Sequence, residues 1–458
     1  MEDMKNGKRS SFSGKLGYVL AAAGASVGLG NIWRFPYLAA KYGGGIFLII
    51  YIVLALTFGY TMIVAETAIG RMTRKSPVGA FKSFGKKKWL SFGGWINAVI
   101  PVLIVPYYSV IGGWVIKYLV EYFRGNAKLL AEDGYFTDFI SNGVSTELCF
   151  VAFCAFTLII IFAGVQNGIE RVSKIMMPIL IVLSVIIAVY SVTRPGALAG
   201  VKYFLVPNVK NFSWMTVVAA MGQMFYSLSI AMGILITFGS YMKKDTAIED
   251  STRNVEIFDT GIAIMAGLMI IPAVFAFSGG DPNTLQAGPS LMFITIPKVF
   301  QNMGFGTVIG IVFFLLVLFA AVTSSIALTE SAVSTFEDEL GWGRKKATVL
   351  VGVIMLALGS LSSLGYGPLA GIKIIGMQFL DLFDFLTNSV MMPIAAFLTS
   401  LFVSRVVGID KIEEEIIHGE SAFRRKKVFV VMIKYLCPVF AIIILLSSVA
   451  NALGWIKM

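Results

Sequence analysis

The sequence predicts an all-α polytopic membrane protein. Three observations carry that reading: the composition, a series of apolar windows of spanning length, and basic clusters that all fall on one side once the windows are strung together. Of 458 residues, 57% are hydrophobic and 14% charged, and the mean hydropathy is +0.82. Soluble domains run to about 45–50% apolar and about 25% charged residues.

A spanning helix requires about 20 mostly apolar residues. Windows of that kind fall at 16–40, 44–70, 90–122, 145–165, 169–192, 214–241, 255–279, 304–337, 346–365, 371–404 and 428–454, which makes eleven transmembrane helices. The polar start "MEDMKNGKRSSFSGK" has neither a short apolar core nor a small-residue cleavage site, so span 1 is expected to direct its own insertion. Lys5, Lys8, Arg9 and Lys15 precede span 1, and seven basic residues from Arg71 to Lys88 lie between spans 2 and 3. Arg344, Lys345 and Lys346 join spans 8 and 9, and Arg424 to Lys427 precede span 11. Basic loops stay in the cytoplasm, which puts the amino terminus inside and the carboxyl terminus outside. The more acidic "RGNAKLLAEDGYFTD" after span 3 suits an outer loop. The segment 279–304, "GGDPNTLQAGPSLMFITIPKVFQNMG", is too polar and proline-rich to span and reads as an outer hairpin.

The chain therefore divides into a cytoplasmic segment 1–15, five helices over 16–192, an outer loop 193–213, five helices over 214–404, a cytoplasmic loop 405–427 and a last helix with the carboxyl terminus over 428–458. The net charge of +11 is topological and gives no reason to expect nucleic acid. Cys149, Cys154 and Cys437 sit in apolar surroundings as small hydrophobes. His418 is the sole histidine, so histidine metal clusters and relays are excluded.

Two spans contain residues that weaken helices. Span 1 includes "GASVGLGN" (24–31) and span 6 includes "YSLSIAMG" (226–233), at the first helix of each five-helix half. Interrupted segments at matching positions of two halves point to a midplane binding site in secondary transporters. Lipid cannot satisfy free backbone groups, so such breaks survive only inside protein or beside a polar cavity. Their N–H ends favour anions and their C=O ends favour cations. Gly24 and Gly28 alone could equally serve close helix packing; Asn31, Arg34 and the serines of the second break favour a site.

At these residues the sequence resembles the neurotransmitter:sodium symporter family, in its bacterial amino-acid branch. The resemblance runs through spans 1–10 and rests on "VGLGNIWRFPYLAAKYGGGIF" (27–47), "PYYSVIGGW" (106–114), "GIERVSKIMMP" (168–178), "GQMFYSLSIAMG" (222–233), "FAAVTSSIALTESAVSTFEDEL" (319–340) and "LDLFDF" (380–385). It implies a LeuT-like inverted five-plus-five helix repeat and two sodium sites. The second site would use carbonyls of Gly24, Val27 and Ala320 with hydroxyls of Thr323 and Ser324; considered alone, "TSS" reads as hydroxyls bonded back to their own helix. The first would use the Ser26 carbonyl, Asn31, Ser227 and Asp259. An intramembrane aspartate is expensive and usually functional, although Asp259 could merely cap span 7. Tyr51, Gln223 and Ser227 match the chloride site of chloride-dependent relatives, with Ala263 where a serine or acid would complete it. Asp259 would then supply the fixed negative charge, and chloride is not expected to be required.

The resemblance further places the substrate between the breaks. Its carboxylate would meet the N–H groups of Gly28 and Leu29 and the hydroxyl of Tyr108, and its ammonium the carbonyls around Tyr226 with Ser229 or Ser324. Ala25, Ile104, Tyr108, Tyr226, Met232 and Leu328 would line a mostly apolar pocket, narrowed by Ala231 where many relatives have glycine. Arg34 would approach Asp384 as an outer gate, directly or through water. Arg9 would pair with Asp338 as an inner gate, covered by Phe12 and Tyr241; read alone, Arg9 is a topogenic charge and Asp338 a solvated helix end. Gly168 and Pro178 would loosen the start of span 5, or form a static kink.

The expected function is a sodium-coupled symporter importing a neutral, hydrophobic or aromatic amino acid by alternating access across the plasma (inner) membrane. A non-transporting sensor of the same fold and a carrier of a small non-proteinogenic amino acid are the alternatives. Two occluding gates argue against a channel. No nucleophile–base pair or metal cluster suggests an enzyme, and "GLGNIW" fails the dinucleotide-binding pattern. The oligomeric state stays open.

Overall fold

The computed structural model describes residues 9–279, 288–452, 454 and 455. Lys5 and Lys8 lie outside the described residues, as do positions 280–287 of the expected outer hairpin. Among the described residues, nine helices are long and apolar enough to cross a membrane: Gly45–Thr73, Lys88–Phe123, Gly143–Phe162, Val165–Val192, Ile248–Ser278, Gly306–Leu340, Arg344–Leu364, Phe379–Val407 and Lys426–Ala452. Two more segments are broken. Lys15–Ser26 and Gly30–Lys41 meet at a 53° bend, and Trp214–Ser227 is separated from Ile234–Ser240 by the non-helical residues 228–233. With Lys15–Lys41 taken as one crossing the described residues hold ten, and the two short helices Trp214–Ser227 and Ile234–Ser240 stand where the eleventh is expected.

Burial orders these helices. The apolar windows of spans 3 and 8 are 78% and 72% buried, against 33% for spans 5 and 11 and 39% for span 4. Spans 3 and 8 therefore stand at the centre with the broken spans, and spans 4, 5 and 11 turn much of their surface to lipid. Small residues let the central elements approach. Gly70 faces the Ile236 carbonyl and Gly239 faces the Thr67 backbone, so closely that a Cβ on either would overlap the opposing backbone.

Several expected boundaries move. Span 7 begins at Ile248, seven residues before its apolar window, because Glu249 and Asp250 suit a helix amino terminus and Ile248, Ser251 and Thr252 are buried. Span 10 begins at Phe379, because the preceding loop turns with Ile375 and Gly376 at positive φ. The described part of the outer segment is helical: Leu291–Thr295 runs into Ile296–Gln301. Phe293 anchors it, 4.9 Å from Tyr118 and stacked 5.1 Å from Phe136 between ring centres. At the start of span 5, Gly168 lies in a π-helical turn, Val165–Glu170, and Pro178 sits inside continuous helix, so that segment is wound in this conformation.

Gly70→Ala is expected to destabilise the protein by about 1–3 kcal/mol, the usual cost of overpacking. A lowered melting temperature in detergent checks it; an unchanged one contradicts the packing described.

Candidate functional site

The two breaks face each other. Span 1 leaves helix after Ser26, where Val27 is extended (φ −74°, ψ 94°), and resumes as a π-helical turn, Gly30–Arg34. In span 6, Ser229 and Ala231 adopt φ of 53° and 58°, a region that non-glycine residues enter only when their surroundings hold them. Three bonds do so. The Ser229 hydroxyl donates to the Ala25 carbonyl (2.9 Å), the Ala231 N–H donates to Glu66 Oε1 (2.7 Å), and Gln223 Nε2 donates to the Gly30 carbonyl (3.0 Å).

Asp259 collects the expected residues of the first ion site. Its carboxylate accepts from Asn31 Nδ2 (2.8 Å), from the Ser227 hydroxyl (2.9 and 3.1 Å) and from the Tyr51 hydroxyl (2.9 Å). Asn31 Oδ1 accepts in turn from the Gly28 N–H at 3.3 Å. Asp259 is fully buried, and no lysine or arginine bonds to it among the described residues. The buried Ser26 hydroxyl has no partner. A buried carboxylate bonded only to neutral groups is what a desolvated cation requires. Gln223, one of the expected chloride-site matches, turns instead to the Gly30 carbonyl, and its Oε1 is buried without a partner.

The second set converges as well. The Ser324 hydroxyl lies 3.3 Å from the Gly24 carbonyl, 3.2 Å from Ala25 and 3.4 Å from Val27. Thr323 Oγ1 lies 3.2 Å from the Ala320 carbonyl and 3.0 Å from Phe319. One hydroxyl proton cannot serve three carbonyls, and all three distances exceed the ordinary O–H···O length. Lone pairs outnumber protons here, so a small cation fits this donor set; Thr323 also back-bonds to its own helix.

Every expected substrate-lining residue except Ser227 and Ala231 borders one cavity, joined by Gly30 and Asn31. Ser227 turns its hydroxyl to Asp259. Leu29 N–H donates to the Tyr108 hydroxyl at 3.3 Å. A Cβ on Gly28 would stand 2.7 Å from Ser324 Oγ and 3.1 Å from the Tyr108 hydroxyl, so only glycine leaves room for a ligand there. The cavity measures about 30 Å³, room for about two waters, so a larger ligand is admitted only if lining side chains move.

The gates differ. Arg9 is ion-paired to Asp338 and also donates to Ser240 Oγ (3.1 Å) and Ser334 Oγ (2.7 Å). Phe12 packs edge-on against Tyr241 at 6.0 Å, and Tyr241 donates to Glu330 Oε1 (2.7 Å), itself paired with Arg344 (2.6 Å). On the other side no direct ion pair joins Arg34 to Asp384 among the described residues. Arg34 lies over the Tyr226 ring at 5.3 Å. Asp384 is held by Asn388 Nδ2 (2.6 Å) and the Tyr107 hydroxyl (3.2 Å).

The arrangement has counterparts. Residues 9–130 and 137–455 match the Sodium:neurotransmitter symporter family. The chain belongs to that family. The symporter is 34% identical to the sodium-dependent transporter YhdH of Bacillus subtilis (strain 168), over 97% of this chain and 99% of the relative. It is 31% identical to a sodium-dependent transporter of Haemophilus influenzae, over 97% of this chain and 99% of that one. Its fold matches the crystal structure of MhsT in complex with L-phenylalanine, with a TM-score of 0.86 and 35% identity over 96% of this chain and 100% of that one. It is a sodium-dependent, multi-pass membrane transporter and not an enzyme.

Glu66 is the functional residue that reading the spans passed over. It is fully buried in span 2, and its Oε1 supplies the acceptor that the broken helix lacks at Ala231. The cost of a carboxylate inside a span was the available signal. Tyr107, Asn388, Ser240 and Ser334 were also missed; as uncharged residues in apolar helices they carry no comparable mark. In this symporter Glu66→Ala is expected to leave the Ala231 N–H orphaned and cost about 1–3 kcal/mol, while Glu66→Gln keeps an acceptor and most of the stability. Melting temperatures of the two variants check it; equal losses contradict the capping role.

Proposed function

We propose that this symporter imports a neutral, hydrophobic or aromatic amino acid together with two sodium ions, without need of chloride. The observation that carries the reading is the juxtaposition of an N–H and hydroxyl slot at Gly28, Leu29 and Tyr108 with the oxygen-rich cluster at Asn31, Ser227 and Asp259. The slot would take the substrate carboxylate. Asp259, Asn31, Ser227 and the Ser26 carbonyl would hold one sodium beside it. Gly24, Val27, Ala320, Thr323 and Ser324 would hold the second, tying span 1 to span 8. Ile104, Met232 and Leu328 would receive an apolar side chain, with methionine adapting to its shape. The L-phenylalanine in the MhsT structure supports that choice of substrate class.

The proposed orientation keeps the amino terminus in the cytoplasm of a plasma (inner) membrane and the carboxyl terminus outside, in line with the basic clusters. Arg9, Asp338, Phe12 and Tyr241 would then close the cytoplasmic side, and Arg34, Asp384, Tyr108 and Tyr226 the outer side. Exposed ion pairs contribute little each, which lets such gates switch. A carrier of a small amino acid is the second reading, favoured by the narrow cavity.

In reconstituted vesicles an inward sodium gradient is expected to drive uptake of phenylalanine or a similar amino acid, collapsing when choline replaces sodium. Asn31→Ala and Ser324→Ala should abolish uptake with insertion intact, and Tyr108→Phe should weaken binding about tenfold, the worth of one charge-assisted hydrogen bond. Replacing chloride by gluconate should leave uptake unchanged; loss of uptake would refute the role given to Asp259.

A further inference from the structure

Away from the central cavity, the start of span 4 (Gly143–Phe162) and the end of span 9 (Arg344–Leu364) border an open groove. Along part of their length they pack tightly: Phe150 covers Gly359 so closely that a Cβ there would overlap its ring, and a Cβ on Gly352 would lie 3.1 Å from Leu158. Toward the start of span 4 the helices part. The gap is a cavity of about 520 Å³ bordered by Val144, Leu148, Val151, Leu364 and Pro368. Its walls are apolar and reach the lipid-facing surface, where Val144 and Leu148 are 74% and 67% exposed.

Asn142 and Glu147 break the apolar lining. Glu147 contributes to the wall, and its Oε1 accepts from the Ser360 hydroxyl at 2.5 Å. Its Oε2 is sealed from solvent and has no partner. A carboxylate oxygen withdrawn from water without a donor is costly. No lysine or arginine pairs with Glu147 among the described residues, so a cationic molecule seated in the groove would meet a carboxylate without a counter-charge.

That molecule must be apolar against the walls, reach the site from the bilayer and present an N–H group, preferably cationic, at its polar end. We propose that the groove binds phosphatidylethanolamine, its primary ammonium pairing with the Glu147 carboxylate and one acyl chain lying along Val144, Leu148 and Val151. A choline headgroup has no N–H to donate. Phosphatidylglycerol would bring a net negative charge toward the carboxylate. No residue of the proposed ion or substrate sites takes part, so the site stands independently of the transport reading.

The test uses the full chain in mild detergent, equilibrated with equal amounts of phosphatidylethanolamine, phosphatidylcholine and phosphatidylglycerol, with retained lipid counted by native mass spectrometry. One phosphatidylethanolamine per chain is expected to survive delipidation in preference to the other two. Glu147→Gln should reduce its retention about tenfold, the worth of a hydrogen bond to a charged group. Leu148→Trp, which fills the groove and leaves the carboxylate in place, should reduce it as well. Equal retention of the three lipids by the parent chain, or undiminished phosphatidylethanolamine on Glu147→Gln, overturns the proposal. A sodium-dependent thermal shift retained by both variants shows that they are folded; if neither folds, the lipid preference of the parent chain alone decides.

Discussion

A helix interrupted inside a bilayer leaves backbone groups that no solvent can satisfy, and most of this structure follows from where those groups find partners. Spans 1 and 6 are interrupted at the same depth and repair each other only in part. Ser229 and Gln223 bond carbonyls across the gap, and Glu66 caps the Ala231 N–H from span 2. What is left over is a surplus of oxygens: carbonyls at Gly24, Ala25 and Val27 sharing one serine hydroxyl, and an aspartate bonded only to neutral groups. Protein donors do not remove that surplus. In the proposed mechanism sodium does, and the cradle reaches its closed shape only when the ions are present.

The two ends of the pathway are closed by different means. The side bearing Arg9 is fastened by a network that draws in the chain before span 1, the end of span 6 and the end of span 8. Ser13 adds to it by donating its N–H to Glu170 at 2.8 Å on span 5. The side bearing Arg34 has an aromatic contact and no direct charge pair across the opening. Opening the first side must break several polar contacts where water can replace them; opening the second requires the Tyr226 ring and the arginine above it to move. The small cavity between them fits a conformation narrowed from both ends.

Much of this was legible in the sequence because the bilayer imposes strict rules. Apolar windows located the nine long helices and the broken first span, and glycines with asparagine and serine marked both breaks. The residues proposed for the ions came from motif resemblance, and the structure brings Asn31, Ser227 and Asp259 into one hydrogen-bonded group. Less was legible where the answer depends on the partner across a gap. Arg34 turns to Tyr226, a choice set by tertiary distance that spacing does not encode, while Asp384 is held by Asn388 one turn along its own helix. The outer segment, read as too polar to span and as a hairpin, is helical over 291–301, where Phe293 and its apolar neighbours are buried. Span 7 begins earlier than its apolar window because polar residues can be helical once they leave the lipid.

The most direct measurement of the central claim is amide hydrogen exchange across both breaks with sodium or choline as the only cation. If sodium satisfies the oxygens that the broken helices leave over, residues 27–31 and 228–233 will exchange more slowly together in sodium, before any amino acid is added. Exchange at both breaks that is identical in the two salts would contradict the account.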